Sequence, residues 1–286
     1  MKFKIYRKRL NRGIGGDIII FVFLSAAGIF TALPLVFAIS NAFKPLNELF
    51  LFPPQFFVRN PTLQNFSDLF ILMNQSWIPL TRYISNSLLI VILGMVGNLF
   101  FGSLAAFALS KHNFFGKHVI NRMIVFSLMF APAVVRIPNY LTIAFLGWID
   151  TYWAVIVPAW ASTLGLYLLR NFIDAMVPES LLESARLDGA SEFNIYWRIV
   201  MPIVKPAWLT LIILTFQQLW GLTGSEYIYS EALKPLPYAL NQLVQGGVAR
   251  QGVGSAAALL MMLVPITVFI INQSQIVETM GHSGIK

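Results

Sequence analysis

Ile18-Ile-Ile-Phe-Val-Phe-Leu-Ser-Ala-Ala-Gly-Ile-Phe-Thr-Ala-Leu-Pro-Leu-Val-Phe-Ala-Ile-Ser-Asn-Ala-Phe43 runs for 26 residues without a charge. A membrane-spanning helix needs about 20 mostly apolar residues. The apolar core of a cleavable secretory leader is only about 7–15 residues long, so the stretch reads as a retained first span. Lys2, Lys4, Arg7, Lys8, Arg9 and Arg12 lie just before it, in a basic arm over residues 1–17. Such an arm beside a span marks the cytoplasmic flank. The net charge of +8 therefore does not indicate nucleic acid.

The rest of the chain repeats the pattern. Hydrophobic residues make up 57% and charged residues 11% of the 286, against about 25% charged in soluble domains. Five further runs are apolar and long: Tyr83–Ser110, Met123–Ile149 (interrupted by Arg136), Thr151–Leu169, Pro206–Ser225 and Gln251–Val277. They are continuous rather than alternating, which favours helices over a barrel. The expected fold is an all-α polytopic membrane protein of about six transmembrane helices, with residues 1–286 forming one transmembrane domain.

With six spans both termini share a side. That side then holds 14 of the 20 Lys and Arg residues, which makes it the cytoplasm. Residues 44–82 and 230–250 become outer loops, the first with a short helix expected over Thr62–Leu72. Residues 173–205 become the longest cytoplasmic segment. The chain has no cysteine, which excludes disulfides and thiolate chemistry.

The cytoplasmic segment reads Val177-Pro-Glu-Ser-Leu-Leu-Glu-Ser-Ala-Arg-Leu-Asp-Gly-Ala-Ser-Glu-Phe-Asn-Ile-Tyr-Trp-Arg-Ile-Val-Met-Pro202. Pro178 suits a first helical position, with Glu179 favourable in the first turn. Leu181, Leu182 and Ala185 fall on one face at helical spacing. Gly189 is a permissive stop and Ser191 a cap for a second helix. Pro202 and Pro206 mark that helix's end. A short helix-turn-helix follows.

Its spacing resembles the EAA loop of bacterial ABC importer permeases. That pattern is Glu-Ala-Ala, three residues, Gly, nine residues, Ile, one residue, Leu-Pro. Here Glu183, Ser184, Ala185, Gly189, Ile199, Met201 and Pro202 stand at those places, with Ser184 for Ala and Met201 for Leu. Asp188-Gly189-Ala190 points toward the carbohydrate-uptake branch. The six-span plan and the ending Gly281-His-Ser-Gly-Ile-Lys286 are similar to the smaller, MalG-type permease of maltose importers.

The resemblance implies a type I ABC importer permease fold with cytoplasmic termini, in the bacterial cytoplasmic (inner) membrane. It also implies half of a pore for carbohydrate, and within this branch for oligosaccharide. Its ATPase-coupling residues are Glu183, Ser184, Ala185, Asp188, Gly189, Ala190, Ile199, Met201 and Pro202. Glu183 is the candidate charge contact, Ala185 and Gly189 permit close approach, and Leu187, Ile199 and Met201 supply packing. The implied partners are a second permease, two ATPase subunits and a solute-binding protein, which residues 230–250 either contact or leave to another surface.

No cofactor is expected in the chain, because Gly116-Lys117-His118 is not a phosphate-binding loop. ATP and Mg belong to the partner ATPases, and the chain is not an enzyme. His112, His118 and His282 all fall in cytoplasmic segments, which leaves no membrane-embedded catalytic set. Alternatives are a permease for a non-sugar solute and an ion-coupled secondary transporter. The latter normally needs ionisable groups at membrane depth, and the spans hold almost none.

Gln217, Gln218, Trp220, Glu226 and Tyr227 are substrate-path candidates, since amides and carboxylates bond sugar hydroxyls and aromatic rings stack on sugar faces. The same residues also suit interhelical hydrogen bonds and an interfacial aromatic belt. Arg136 lies about 21 Å along a helix from Arg122, in the outer half, where snorkelling to the interface is expected rather than a pore role.

Overall fold

The structure, a computed structural model, describes residues 14–75, 77–245, 247 and 250–283. The arm's residues 1–13 and the tail's residues 284–286 lie outside it. The described chain is helical, with no strand. It divides into two compact units, Met1–Leu69 with Gly247–Leu259, and Phe70–Gly246 with Leu260–Lys286.

In the first unit, α1 (Ile14–Phe43) covers the first expected span. The most apolar window of that helix buries none of its residues. An apolar surface of that extent requires lipid or another chain's helices. The end of α1 is fastened locally. Asn65 Nδ2 donates to the Ala42 and Lys44 carbonyls at 2.9 and 2.8 Å, satisfying acceptors that a helix end leaves open. After α2 (Leu46–Leu49), Glu48 accepts from the Arg59 and Asn60 amides at 3.0 and 2.9 Å. The bond from the Arg59 amide is the chief reason its carboxyl titrates below the ordinary value. The expected helix at Thr62–Leu72 is α3, Gln64–Asn74.

The second unit is built around α4 (Leu80–Lys111), against which α7 (Trp153–Trp160), α8 (Thr163–Met176) and α12 (Lys205–Trp220) pack. Gly97 makes one approach possible. A Cβ there would lie 2.0 Å from the Trp160 indole nitrogen, which donates to the Leu93 carbonyl at 3.0 Å. Helices α7 and α8 form one apolar stretch, Trp153–Met176, longer than the expected Thr151–Leu169. It is broken at Ala161, and Ser162 caps α8 by accepting from the Gly165 amide. Just before the break Asn98 ties α7 to α12, donating to the Ala159 carbonyl at 2.6 Å and accepting from Thr215 at 3.3 Å.

Two expected spans are corrected. Met123–Ile149 is not one helix but two, α5 (Lys117–Ser127) and α6 (Pro132–Phe145), because Pro132 offers no amide and Ala131 before it is extended. Pro206–Ser225 becomes α12, which stops at Trp220. Gly224, at φ +67°, then turns the chain. Gln251–Val277 lies within α14, Gln251–Ser283. Among the described residues, four helical stretches are long and apolar enough to cross a membrane. A fifth results if the pair Glu192–Ile203 and Lys205–Trp220, bent by 80°, counts as one span.

Candidate functional site

The segment after α8 folds as a helical hairpin. Helix α9 (Glu179–Leu187) follows Pro178, which caps the helix in extended conformation rather than opening it. Its end is a Schellman motif. The Ala190 amide donates to the Ala185 carbonyl and the Gly189 amide to the Arg186 carbonyl, both at 3.0 Å. Gly189 has φ +79°, and nothing lies within 4 Å of where a Cβ would sit. Backbone conformation, not crowding, therefore calls for glycine. Ser191 accepts from the Asn194 amide and caps α10 (Glu192–Ile195).

The chain continues as a π-turn, Tyr196–Val200, and α11, Met201–Ile203. Pro202 thus sits within a helical run rather than ending it. The wider turn, with Met201 donating to the Tyr196 carbonyl, makes room where a proline ring would crowd an ordinary helix. The run ends instead at Val204.

The faces of this hairpin divide its residues. Leu182 and Ala185 are buried against Ile173, Ile195, Tyr196 and Val200, with Phe107 of α4 in the same cluster. Leu181, expected on that face, is exposed. Ala185 therefore seats the hairpin on its own chain and is not free for close approach to another. Ile199, Met201 and Ala190 are partly buried on the same cluster. Glu183, Ser184, Leu187, Asp188 and Gly189 are exposed, Leu187 by 89%. Ser184 bonds back to the Ser180 carbonyl at 2.9 Å.

Arg186, Glu192 and Lys111, which help bind the hairpin together, were not singled out from sequence. The Arg186 guanidinium bonds Glu192 at 2.7 Å and lies 3.6 Å from Glu179. That pairing, chiefly the hydrogen bond, lowers the Glu192 carboxyl and raises Arg186. Lys111, at the end of α4, donates to the Val177 carbonyl at 2.7 Å. His112 Nε2 lies 3.4 Å from Glu192. The signal available in sequence was the Glu179/Arg186/Glu192 charge pattern. Tyr196 adds a buried anchor, sharing a 2.7 Å hydrogen bond with Ser103.

A second constellation lies elsewhere in the same unit. A cavity of about 590 Å³ is lined by Arg136 and Asn139 of α6, Pro158 of α7, Gln218 of α12, and Glu226 and Tyr227. Arg136 forms an ion pair with Glu226, a partner that the expected snorkelling to the interface did not include. The pair is possible because α6 starts at the Pro132 break and the chain turns at Gly224. Asn139 approaches the Tyr227 hydroxyl at 3.4 Å. Tyr140 stacks on Tyr227 with ring centroids 6.2 Å apart. The segment carrying Glu226 is pinned by Asp150, whose carboxylate accepts from the Tyr229 and Ser230 amides at 2.9 and 2.8 Å and from the Ser230 hydroxyl. Those bonds, led by the hydroxyl's, hold the Asp150 carboxyl below its usual range.

Of the five substrate-path candidates, Gln218, Glu226 and Tyr227 meet in this cavity. Gln217 is exposed and does not line it. Trp220 is a correction. It is buried, stacked on Phe216 at 5.6 Å, and its indole donates to the Met261 carbonyl, so its large apolar face is spent on helix packing.

Residues 98–279 match the family described as "binding-protein-dependent transport system inner membrane component". The chain belongs to that family. It is a membrane component of a transport system rather than an enzyme, and a multi-pass membrane protein. Among its relatives is Protein LplC of Bacillus subtilis (strain 168), 31% identical over 79% of this chain and 75% of the relative. Another, from the same organism, is the polygalacturonan/rhamnogalacturonan transport system permease protein YtcP, 30% identical over 84% of each. The fold of this membrane component is similar to a chain in the crystal structure of a bacterial ABC transporter involved in import of the acidic polysaccharide alginate. That likeness has a TM-score of 0.78 at 21% identity, covering 93% of this chain and 99% of the other.

Proposed function

We propose that the chain is one of two permease subunits forming the pore of an ABC importer for oligosaccharides, in the bacterial cytoplasmic membrane. The observation that carries this reading is the α9–α10 hairpin. It is seated on the chain's own core by Leu182, Ala185, Ile195 and Tyr196, and it presents Glu183, Leu187, Asp188 and Gly189 outward. A lever of this kind has a firm base and an exposed tip. The family supplies the transport system, and YtcP, named for a polysaccharide transport system, supports the carbohydrate class.

In this reading the hairpin tip docks on an ATPase subunit in the cytoplasm. Glu183 and Asp188 offer charge, Leu187 an apolar knob, and Gly189 a backbone free of side chain. Ser184, Ala185, Ala190, Ile199, Met201 and Pro202 shape and hold the lever. Two ATPases hold the ATP and Mg, and their closure pulls the hairpin. The motion reaches the pore through α12, joined to the hairpin's second arm at the Val204 bend. A solute-binding protein delivers the sugar on the opposite face, with residues 230–250 as its candidate contact. No step of covalent chemistry falls to this chain.

Leu187→Arg tests the reading. The side chain is exposed, so stability should change by no more than about 0.5 kcal/mol. The variant should reach the membrane at its normal level. Oligosaccharide uptake and sugar-stimulated ATP hydrolysis by the assembled transporter should fall at least tenfold. Uptake at the unaltered rate contradicts the docking role.

A further inference from the structure

The cavity on α6 and α12 contains an arrangement that general permease function does not require. Arg136, Asn139 and Tyr140 stand at i, i+3 and i+4 of α6 and so share a face. Opposite them are Gln218, Glu226 and Tyr227. Among the described residues lining the cavity, the one cation and the one carboxylate are bound to each other. Glu226 is also held in place, because Asp150 pins the backbone at Tyr229 and Ser230 just beyond it.

Building on the oligosaccharide reading, we propose that this cavity is a subsite for an uncharged sugar unit, in which Glu226 occupies Arg136 and so keeps a uronate carboxylate out. A sugar hydroxyl both donates and accepts. An Arg–Glu pair flanked by two amides and a phenol offers both functions around one ring. The ring of Tyr227, which lines the cavity and is stacked on Tyr140, adds an apolar wall. A uronate fares worse. Its carboxylate is drawn to Arg136 and repelled by Glu226 at similar range, so the charges nearly cancel, while its hydration is still lost. The cavity's volume of about 590 Å³ falls within the ordinary range for small-ligand sites, about 300–1,000 Å³.

The pairing also predicts how the preference can be changed. Glu226→Gln keeps the shape of the side chain and removes its charge, leaving Arg136 free to take a carboxylate in a forked pair. Arg136→Gln together with Glu226→Gln restores neutrality without either charge.

The experiment measures uptake in cells in which each variant replaces the chain within its complete transporter. The probes are oligogalacturonides with free carboxyls and the same oligomers methyl-esterified, together with neutral arabino- and galacto-oligosaccharides. Membrane levels are checked by immunoblot. The unaltered transporter should prefer uncharged probes. Glu226→Gln should shift the acidic-to-neutral ratio at least tenfold toward acid, and the double variant should return it to within twofold of the starting value. A ratio that does not move in Glu226→Gln, or a transporter that already prefers the free acids, overturns the subsite. A lost signal that the double variant fails to restore also overturns it, by making the pair purely structural. If the unaltered transporter carries no carbohydrate of either kind, the oligosaccharide reading itself fails, which is a distinct result.

Discussion

Single residues carry constraints of different origin. Gly97 is fixed by space, because any Cβ falls 2.0 Å from the Trp160 ring. Gly97→Ala should push α7 off α4 and destabilise the second unit by about 1–3 kcal/mol, as overpacking does. Thermal unfolding of the purified protein in detergent should show a lowered midpoint, while Gly102→Ala, where the nearest neighbour is 4.0 Å away, should leave it unchanged. Gly189 is fixed instead by its left-handed backbone. Its role was legible in sequence, because a glycine between an amphipathic helix and a capping serine marks a helix stop. Arg136 was not legible. Its partner Glu226 is 90 positions away, and no local pattern joins them. The burial of Ala185 was not legible for a related reason. Helical spacing shows that Leu182 and Ala185 share a face but not whether that face looks inward.

At the scale of elements, local breaks in the backbone accounted for the differences between expectation and structure. A hydropathy run shows only that residues are apolar. The breaks at Ala131–Pro132, Ala161–Ser162 and Val204 depend on backbone angles and caps that a run does not report. Where no break intervened, in α1, α4 and α14, the expected spans lie inside the observed helices.

The charge on Glu192 adds to the stability of the α9–α10 hairpin through its bond to Arg186. Its carboxyl is lowered in the folded state, mainly by its bond to Arg186. The stabilisation is therefore fully present above the ordinary carboxylate value of 4.5 and is lost as pH falls through the lowered folded value. Hydrogen exchange across residues 179–200 should stay slow from neutral pH down to about 5 once corrected for intrinsic rates, then quicken below about 4. Glu192→Gln should remove the pH dependence and leave exchange faster throughout. A hairpin equally protected at pH 3 would contradict the assigned bond.

For the whole molecule, the composition, the apolar runs and the 183–202 spacing were enough to indicate a helical membrane permease, and family membership agrees. What the sequence left open was which faces of those helices look inward, because that depends on packing between distant segments. The apolar surface of α1 and the tip at Leu187 are both left uncovered by a single chain. The absence of cysteine from all 286 residues makes the tip directly testable. Leu187→Cys places one thiol in the chain. In inside-out vesicles carrying the complete transporter, a maleimide with a short photoreactive arm, attached to that thiol and illuminated, should insert into the ATPase subunit, and ATP with Mg should alter the yield. A thiol labelled only from the outer face, or one that joins no nucleotide-binding subunit, would contradict the coupling role on which the functional reading rests.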